Sequence, residues 1–278
     1  MKIAILSGKG GAGKTFTAVN LASVMDKAVY VDCDVEEPNG RLFLKPDNVT
    51  SKEVYTLLPK FDADKCTGCK ECVDFCKFNA LVYVKEKPIV FKEICHSCSG
   101  CLNVCKYGAV MEVKRPVGIV ETGSHNNVTA VTGVLNFGEA SGVPVINDAI
   151  NTGDSLGDTV ILDCPPGSAC SVMESVEGAD YCILVAEPTA FGFHNFKMVY
   201  ELATLLGKKC GVVVNKEDEP YEPLEAFCNE KDIPILLHIP YNSNIAKLSG
   251  EGHIYAEESE EGRKLFETLL DKVGGVLK

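Results

Sequence analysis

Residues 8 to 15, Gly8-Lys9-Gly10-Gly11-Ala12-Gly13-Lys14-Thr15, leave the chain few ways to fold. A short apolar run, Lys2 to Leu6, precedes them, and an apolar-periodic segment, Thr15 to Met25, follows. Glycine carries no Cβ and turns sharply at little steric cost, so this loop can aim successive backbone N–H groups at one point. The spacing is G-x-x-x-x-G-K-[ST], and its setting, after a strand and at the opening of a helix, is the one the motif needs to cradle phosphate. The helix N-terminus adds its positive end. Lys14 then reaches the β- and γ-phosphates, and Thr15 ligates Mg²⁺.

The rest of the chain repeats this strand–helix rhythm. Strand-like apolar runs fall at Val29–Asp32, Thr159–Leu162, Tyr181–Ala186, Cys210–Val214 and Ile235–Ile239. Helix-like segments fall at Ser171–Glu177, Asn195–Leu206, Leu224–Glu230 and Arg263–Val273. The alternation predicts an α/β fold, a mostly parallel sheet with helices on both faces. Continuous runs such as Cys182-Ile183-Leu184-Val185-Ala186 suit strands buried on both sides. The stretch from Pro116 to Asp158 is rich in glycine and turn residues and suggests no clear element; it should rejoin the main sheet.

Residues 60–115 break the rhythm with an internal repeat. Cys66, Cys69, Cys72 and Cys76 recur 29 positions later as Cys95, Cys98, Cys101 and Cys105. The match continues from Phe78 to Tyr107 and from Ala80 to Ala109. These residues predict a small inserted α+β domain with two-fold pseudosymmetry, and they divide the larger domain into 1–59 and 116–278. The insert has ten basic and seven acidic residues, against a net charge of −12 for the whole chain. So acidic a chain is a poor bulk binder of nucleic acid. No run of 18 apolar residues exists for a spanning helix, and the first residues are too short an apolar run for a signal peptide, so the expected location is cytoplasmic. In that reducing compartment fourteen cysteines point to metal binding rather than to disulfides. Cys33, Cys164, Cys170, Cys182, Cys210 and Cys228 lie mostly in apolar runs and read as small buried hydrophobes.

C-x₂-C-x₂-C-x₃-C, present twice, resembles the run of bacterial two-cluster ferredoxins, whose fourth cysteine ligates the other cluster. The resemblance implies two 4Fe–4S clusters, one on Cys66, Cys69, Cys72 and Cys105, the other on Cys76, Cys95, Cys98 and Cys101. Zinc on four thiolates is the competing reading, although it is usually held by paired C-x-x-C knuckles. Lys77 and Lys106 stand where those ferredoxins have proline. His96, inside the second motif, reads as a neighbour of the sulfurs rather than a ligand, since the thiolate count is complete without it.

Lys9, a second lysine early in the phosphate loop, resembles the deviant Walker A of the MinD/ParA superfamily of P-loop ATPases, which includes the nitrogenase iron protein. The resemblance extends to Asp32-Cys33-Asp34, similar to switch I, to Asp163-Cys164-Pro165-Pro166-Gly167, similar to Walker B and switch II, and to Asn215. It implies a Rossmann-like P-loop NTPase that hydrolyses Mg-ATP to ADP as a nucleotide-dependent homodimer. Gly8, Lys9, Gly10, Gly11, Ala12, Gly13, Lys14, Thr15 and Asn215 would bind nucleotide, with Asn215 on the adenine edge. Lys9 and Lys14 would be catalytic, Asp34 would position or activate the attacking water, and Thr15 and Asp163 would hold Mg²⁺. Phe16 stands where the class has a second threonine, so a hydroxyl on the α-phosphate would be absent or come from Thr17. Three roles fit: maturation of another metalloprotein or its cofactor, ATP-gated electron donation to a redox partner, and surface positioning with structural clusters. The last calls for a membrane-binding helix, and the apolar face of the C-terminal segment is expected to pack on the sheet instead.

Overall fold

A computed structural model describes residues 1–277. In chain order the first elements are β1 (Lys2–Leu6), α1 (Lys14–Ser23), β2 (Ala28–Asp32), α2 (Gly40–Leu44) and β3 (Asp47–Phe61). Next come α3 (Glu71–Phe75), β4 (Leu81–Val84), β5 (Lys87–Val90), α4 (Gly100–Val104), β6 (Val110–His125), β7 (Val128–Leu135) and α5 (Val143–Leu156). Then follow β8 (Val160–Asp163), α6 (Cys170–Glu177), β9 (Tyr181–Ala186), α7 (Ala190–Leu205), β10 (Cys210–Glu217) and α8 (Glu222–Glu230). The last are β11 (Ile235–Pro240), α9 (Ser243–Gly250), α10 (Tyr255–Glu258) and α11 (Glu260–Leu277).

One sheet organises the molecule, in the order β11-β10-β9-β1-β8-β2-β7-β6-β3. The strands from β11 to β7 are parallel to their neighbours; β6 and β3 are antiparallel. Alternation along each strand supplies two cores. Ala4 and Leu6 of β1 point into one, with Val145 of α5, Val172 of α6, Phe196 of α7 and Leu224 of α8. Ile3 and Ile5 point into the other, with Leu21 of α1, Tyr255 of α10 and Phe266 of α11. Every residue of β9 is buried, as its unbroken apolar run requires. The apolar face of α11 lies in this second core, with Phe266, Leu269 and Val273 fully buried. Among the described residues no helix is long and apolar enough to cross a membrane. Cys33, Cys164, Cys182 and Cys228 are buried, Cys210 is half-buried and Cys170 is exposed.

The turn-rich stretch after Pro116 holds most of β6, all of β7 and the long helix α5. Gly138 is a turn residue with φ of 80°, but several of the other glycines are packing positions instead. A Cβ on Gly118 would overlap the Val134 carbonyl and Val145, and one on Gly133 would overlap Val35. Close contact between strand, neighbour and covering helix selects glycine there.

β3 and β6 form a long antiparallel arm, paired from Asp47↔Ser124 to Phe61↔Val110 with register shifts between Asp47 and Thr50 and between Val54 and Tyr55. At its far end, residues 62–109 form α3, α4 and the two-stranded β4–β5 ribbon. The positions expected to bound the insert, 60 and 115, fall within these paired strands, at Lys60↔Met111 and Thr56↔Arg115. β3 is one edge of the sheet, and Asp47, Lys52, Glu53 and Lys60 on it are the charged residues that discourage further pairing.

Candidate functional site

The carboxyl ends of β1, β2, β8, β9, β10 and β11 meet around residues 8–15. Crevices beyond strand ends are where open α/β sheets bind ligands. A cleft of about 540 Å³ opens there, lined by Gly10, Gly11, Gly13, Lys14, Thr15, Asp34 and Asn215 of the expected site. Gly11 and Gly13 have φ of 79° and 102°, left-handed values that favour glycine. Gly13 caps α1, so the helix N-terminus opens at Lys14. Gly8 and Ala12 do not line the cleft. Gly8 packs against the α7 backbone at Asn195, where a Cβ would overlap the carbonyl. Ala12 is buried.

Lys14 is only 7% exposed and faces two carboxylates. Burial pushes the Asp34 carboxyl up to about 6, against the opposing pull of Lys14. Burial also raises Asp163, again opposed by Lys14 and by the hydroxyls of Thr15 and Tyr30. One oxygen of Asp163 accepts a hydrogen bond from the Tyr30 hydroxyl (2.8 Å), while its Oδ1 is buried without a partner. A buried, unpaired carboxylate oxygen beside a threonine hydroxyl is a donor set that suits a small hard cation. Asp32, fully buried, accepts from the backbone N–H of Gly40 (2.9 Å) and of Asp34 (3.2 Å). It therefore holds the loop that presents Asp34. Gly167 donates its N–H to the Ser7 carbonyl (3.0 Å), joining the loop after β8 to the phosphate loop.

Lys9 lies outside the cleft lining. It forms an ion pair with Glu187, at the end of β9, and sits 5.4 Å from the centre of the Phe191 ring. Glu187 also pairs with Lys216 (2.8 Å), which in turn donates to the Gly11 carbonyl (2.6 Å). The two ammonium groups outweigh burial and hold the Glu187 carboxyl below its usual range. Sequence reading missed Glu187 and Lys216. Glu187 lies just beyond the buried strand β9 and Lys216 near the carboxyl end of β10, and those strand-end positions were the available signal.

Asn215 donates its Nδ2 to the Ala12 carbonyl (2.8 Å), which leaves Oδ1 as the acceptor for a ligand. Thr17 donates to the Gly13 carbonyl (2.9 Å) and is fully buried, so its hydroxyl is engaged within the helix. Phe16 packs edge-on against Phe266, with ring centres 5.8 Å apart. Phe43, Tyr241 and Ile245, which sequence reading did not single out, line the same cleft.

At the far end of the arm the eight motif cysteines divide between two cavities. Cys66, Cys69, Cys72 and Cys105 line one, with Tyr83 and Tyr107. Cys76, Cys95, Cys98 and Cys101 line the other, with Phe75, Phe78 and His96. Each cavity thus takes three cysteines from one repeat and the fourth from the other. Among the described residues no three His, Cys, Asp or Glu side chains are close enough to hold a single metal ion. Four thiols around one cavity are a donor set for a larger, multi-metal group. Burial pushes the Cys101 thiol up to about 11, so it keeps its proton at neutral pH unless a cation displaces it. The His96 ring stacks on Phe78, 3.9 Å between centres, beside the second cavity.

The model of the CobQ/CobB/MinD/ParA nucleotide-binding domain matches residues 3–254. An uncharacterized protein of Methanocaldococcus jannaschii is 29% identical over 98% of this chain and 96% of its own length. The iron–sulfur cluster carrier protein of Pyrococcus horikoshii is 45% identical, but over only 22% of this chain and 20% of that protein. Among solved structures, the cell division ATPase MinD of Pyrococcus furiosus superposes with a TM-score of 0.62 at 20% identity, covering 99% of this chain and 98% of that one. The latter is a likeness of fold. The match over most of the chain, on a mostly parallel sheet with helices on both faces, places this protein in the CobQ/CobB/MinD/ParA family of nucleotide-binding P-loop proteins.

Proposed function

We propose that this protein hydrolyses Mg-ATP and that its nucleotide state is coupled to two 4Fe–4S clusters, in the service of maturing another metalloprotein or its metal cofactor. The observation that carries this reading is the pairing of a phosphate-loop cleft with two four-cysteine cavities through one continuous β3–β6 arm. Lys14 and the residue 10–15 backbone would hold the phosphates. Thr15 and Asp163 would hold Mg²⁺, with the unpaired Asp163 oxygen supporting that assignment. Asp34 would position the attacking water. Asn215 Oδ1 would accept from the adenine amino group. Lys9 would reach the nucleotide of a second copy in an ATP-dependent homodimer. The residues lining the two cavities would hold the clusters, which supply one-electron chemistry or iron–sulfur units when bound.

Anaerobically purified protein should be brown and carry about eight irons per chain. Cys105→Ser should damage the cluster of the first cavity and spare that of the second, as read by iron content and electron paramagnetic resonance. A colourless protein carrying zinc would overturn the cluster assignment.

A second reading, ATP-gated electron donation to a redox partner, draws on the exposure of Cys69 and Cys98, which would leave an edge of each cluster open to an acceptor. The positioning role has less support, because the apolar face of α11 is buried in the core. Reducing the clusters and asking whether ATP makes them yield electrons or iron separates the first two readings.

The Asp34 role carries a pH signature. A carboxyl with a pKa of about 6 loses its negative form as pH falls, and that form is the one that orients water. kcat/KM for ATP should therefore fall about tenfold per pH unit below pH 6. Asp34→Asn should lower it throughout and remove this limb. A flat wild-type profile from pH 5 to 7.5 would contradict the assignment.

A further inference from the structure

Behind the cleft, the side chains of Tyr30, Asp32 and Asp163 form a buried polar link, each 1% exposed or less. The Tyr30 hydroxyl donates to Asp163 (2.8 Å) and lies 3.4 Å from Asp32 Oδ2. That same Asp32 oxygen accepts the Gly40 N–H (2.9 Å), at the first residue of α2. Gly40 is packed directly against the tyrosine ring, where a Cβ would overlap the hydroxyl. β3, the first strand of the cysteine-bearing arm, starts three residues after α2 ends. Leu44, the last residue of α2, is fully buried, which fixes this short helix to the core.

A hydroxyl carries one proton, so it cannot donate to two carboxylates at once. Asp163 holds that proton at the shorter distance, and Asp32 is left with the longer contact. Any change in the charge on Asp163 therefore alters the demand on the same hydroxyl, and through it the support of Asp32 for the α2 N-terminus. A cation at the unpaired Asp163 Oδ1 is such a change. A phenylalanine would fill the same core volume without the link.

We propose that Tyr30 is a positioning residue that transmits Mg-nucleotide occupancy at Asp163 to α2 and the root of the β3–β6 arm. The proposal rests on the reading of Asp163 as the magnesium side chain. It adds a route through the sheet interior to the loop after β2, whose Asp34 N–H Asp32 also holds, and to the α2 helix that follows it.

Hydrogen exchange on the full chain, with and without Mg-ADP, tests it. Slower exchange over residues 8–15 reports that nucleotide is bound. In the wild type, exchange over residues 40–44 should also slow, by about tenfold. In Tyr30→Phe the 8–15 response should persist and the 40–44 response should shrink to less than about twofold. Gly40→Ala, which breaks the same link from the other side, should also lose the 40–44 response, and it carries the test if Tyr30→Phe does not fold. An undiminished 40–44 response in either folded variant overturns the proposal and leaves the nucleotide reading intact. No response over 8–15 in the wild type overturns the nucleotide reading, and the proposal with it.

Discussion

Lys14→Ala should lower affinity for Mg-ATP by at least about a hundredfold, equivalent to about 2.7 kcal/mol. Lys14 is nearly buried, opens α1 and lines the cleft beside Asp34. Its ammonium is the cation that offsets burial at both Asp34 and Asp163. Alanine removes the charge that faces the phosphates and leaves the buried Asp163 and half-buried Asp34 carboxyls without it. Losing the cation that offsets their burial should also destabilise the nucleotide-free fold. Asp34 should then titrate at a higher pH than in the wild type, because the group that lowers it is gone. Titration with a fluorescent ATP analogue reads the affinity, and thermal melting reads the stability. Binding within threefold of wild type would contradict the placement of the phosphates.

Lys9→Ala should behave differently. In the single chain Lys9 is held by Glu187 and rests near Phe191, outside the cleft lining. Its removal should change nucleotide affinity by no more than about threefold. Hydrolysis should fall at least about a hundredfold, and ATP-dependent dimerisation should be lost in sedimentation, because the proposed role of Lys9 lies in the partner's site. For that role the lysine must leave Glu187. Lys216 shares the carboxylate and also holds the Gly11 carbonyl, so Glu187 has a second cation to keep when Lys9 departs. Equal hydrolysis rates in the wild type and Lys9→Ala would remove the basis for the deviant Walker assignment.

The strands most legible in the sequence are those buried on both faces. β1, β8 and β9 are short apolar runs, the pattern that parallel strands covered on both faces impose. β3 and β6 were missed for the opposite reason, and β7, though largely buried, because its threonines and Gly133 break the apolar run. Much of the arm is exposed, so β3 mixes Lys52, Glu53 and Thr56 with Val54 and Leu57 without strict alternation, and β6 is interrupted by Pro116 and two glycines. The phosphate loop was readable because its glycines are local requirements. The two runs of four cysteines were readable because the 29-residue repeat survives in the sequence, while the exchange of the fourth cysteine between them came from the ferredoxin resemblance. Tyr30 and Glu187 were not readable. One sits inside an apolar strand and the other just beyond a strand end, and each has a decisive partner more than 100 residues away, Asp163 for Tyr30 and Lys9 for Glu187. The structure also separates Asp32 from Asp34: the first holds backbone N–H groups, and the second lines the cleft.

The central claim is that nucleotide state and cluster state are linked. Its most direct test is the midpoint potential of the clusters with no nucleotide, with ADP and with a non-hydrolysable ATP analogue. Linkage requires that a nucleotide-dependent potential be matched by a redox-dependent nucleotide affinity. The account predicts a shift of about 60 mV or more between the nucleotide-free and ATP-analogue states, about tenfold in equilibrium for a one-electron couple. Identical potentials in all three states, with identical loss of iron to a chelator, would contradict it.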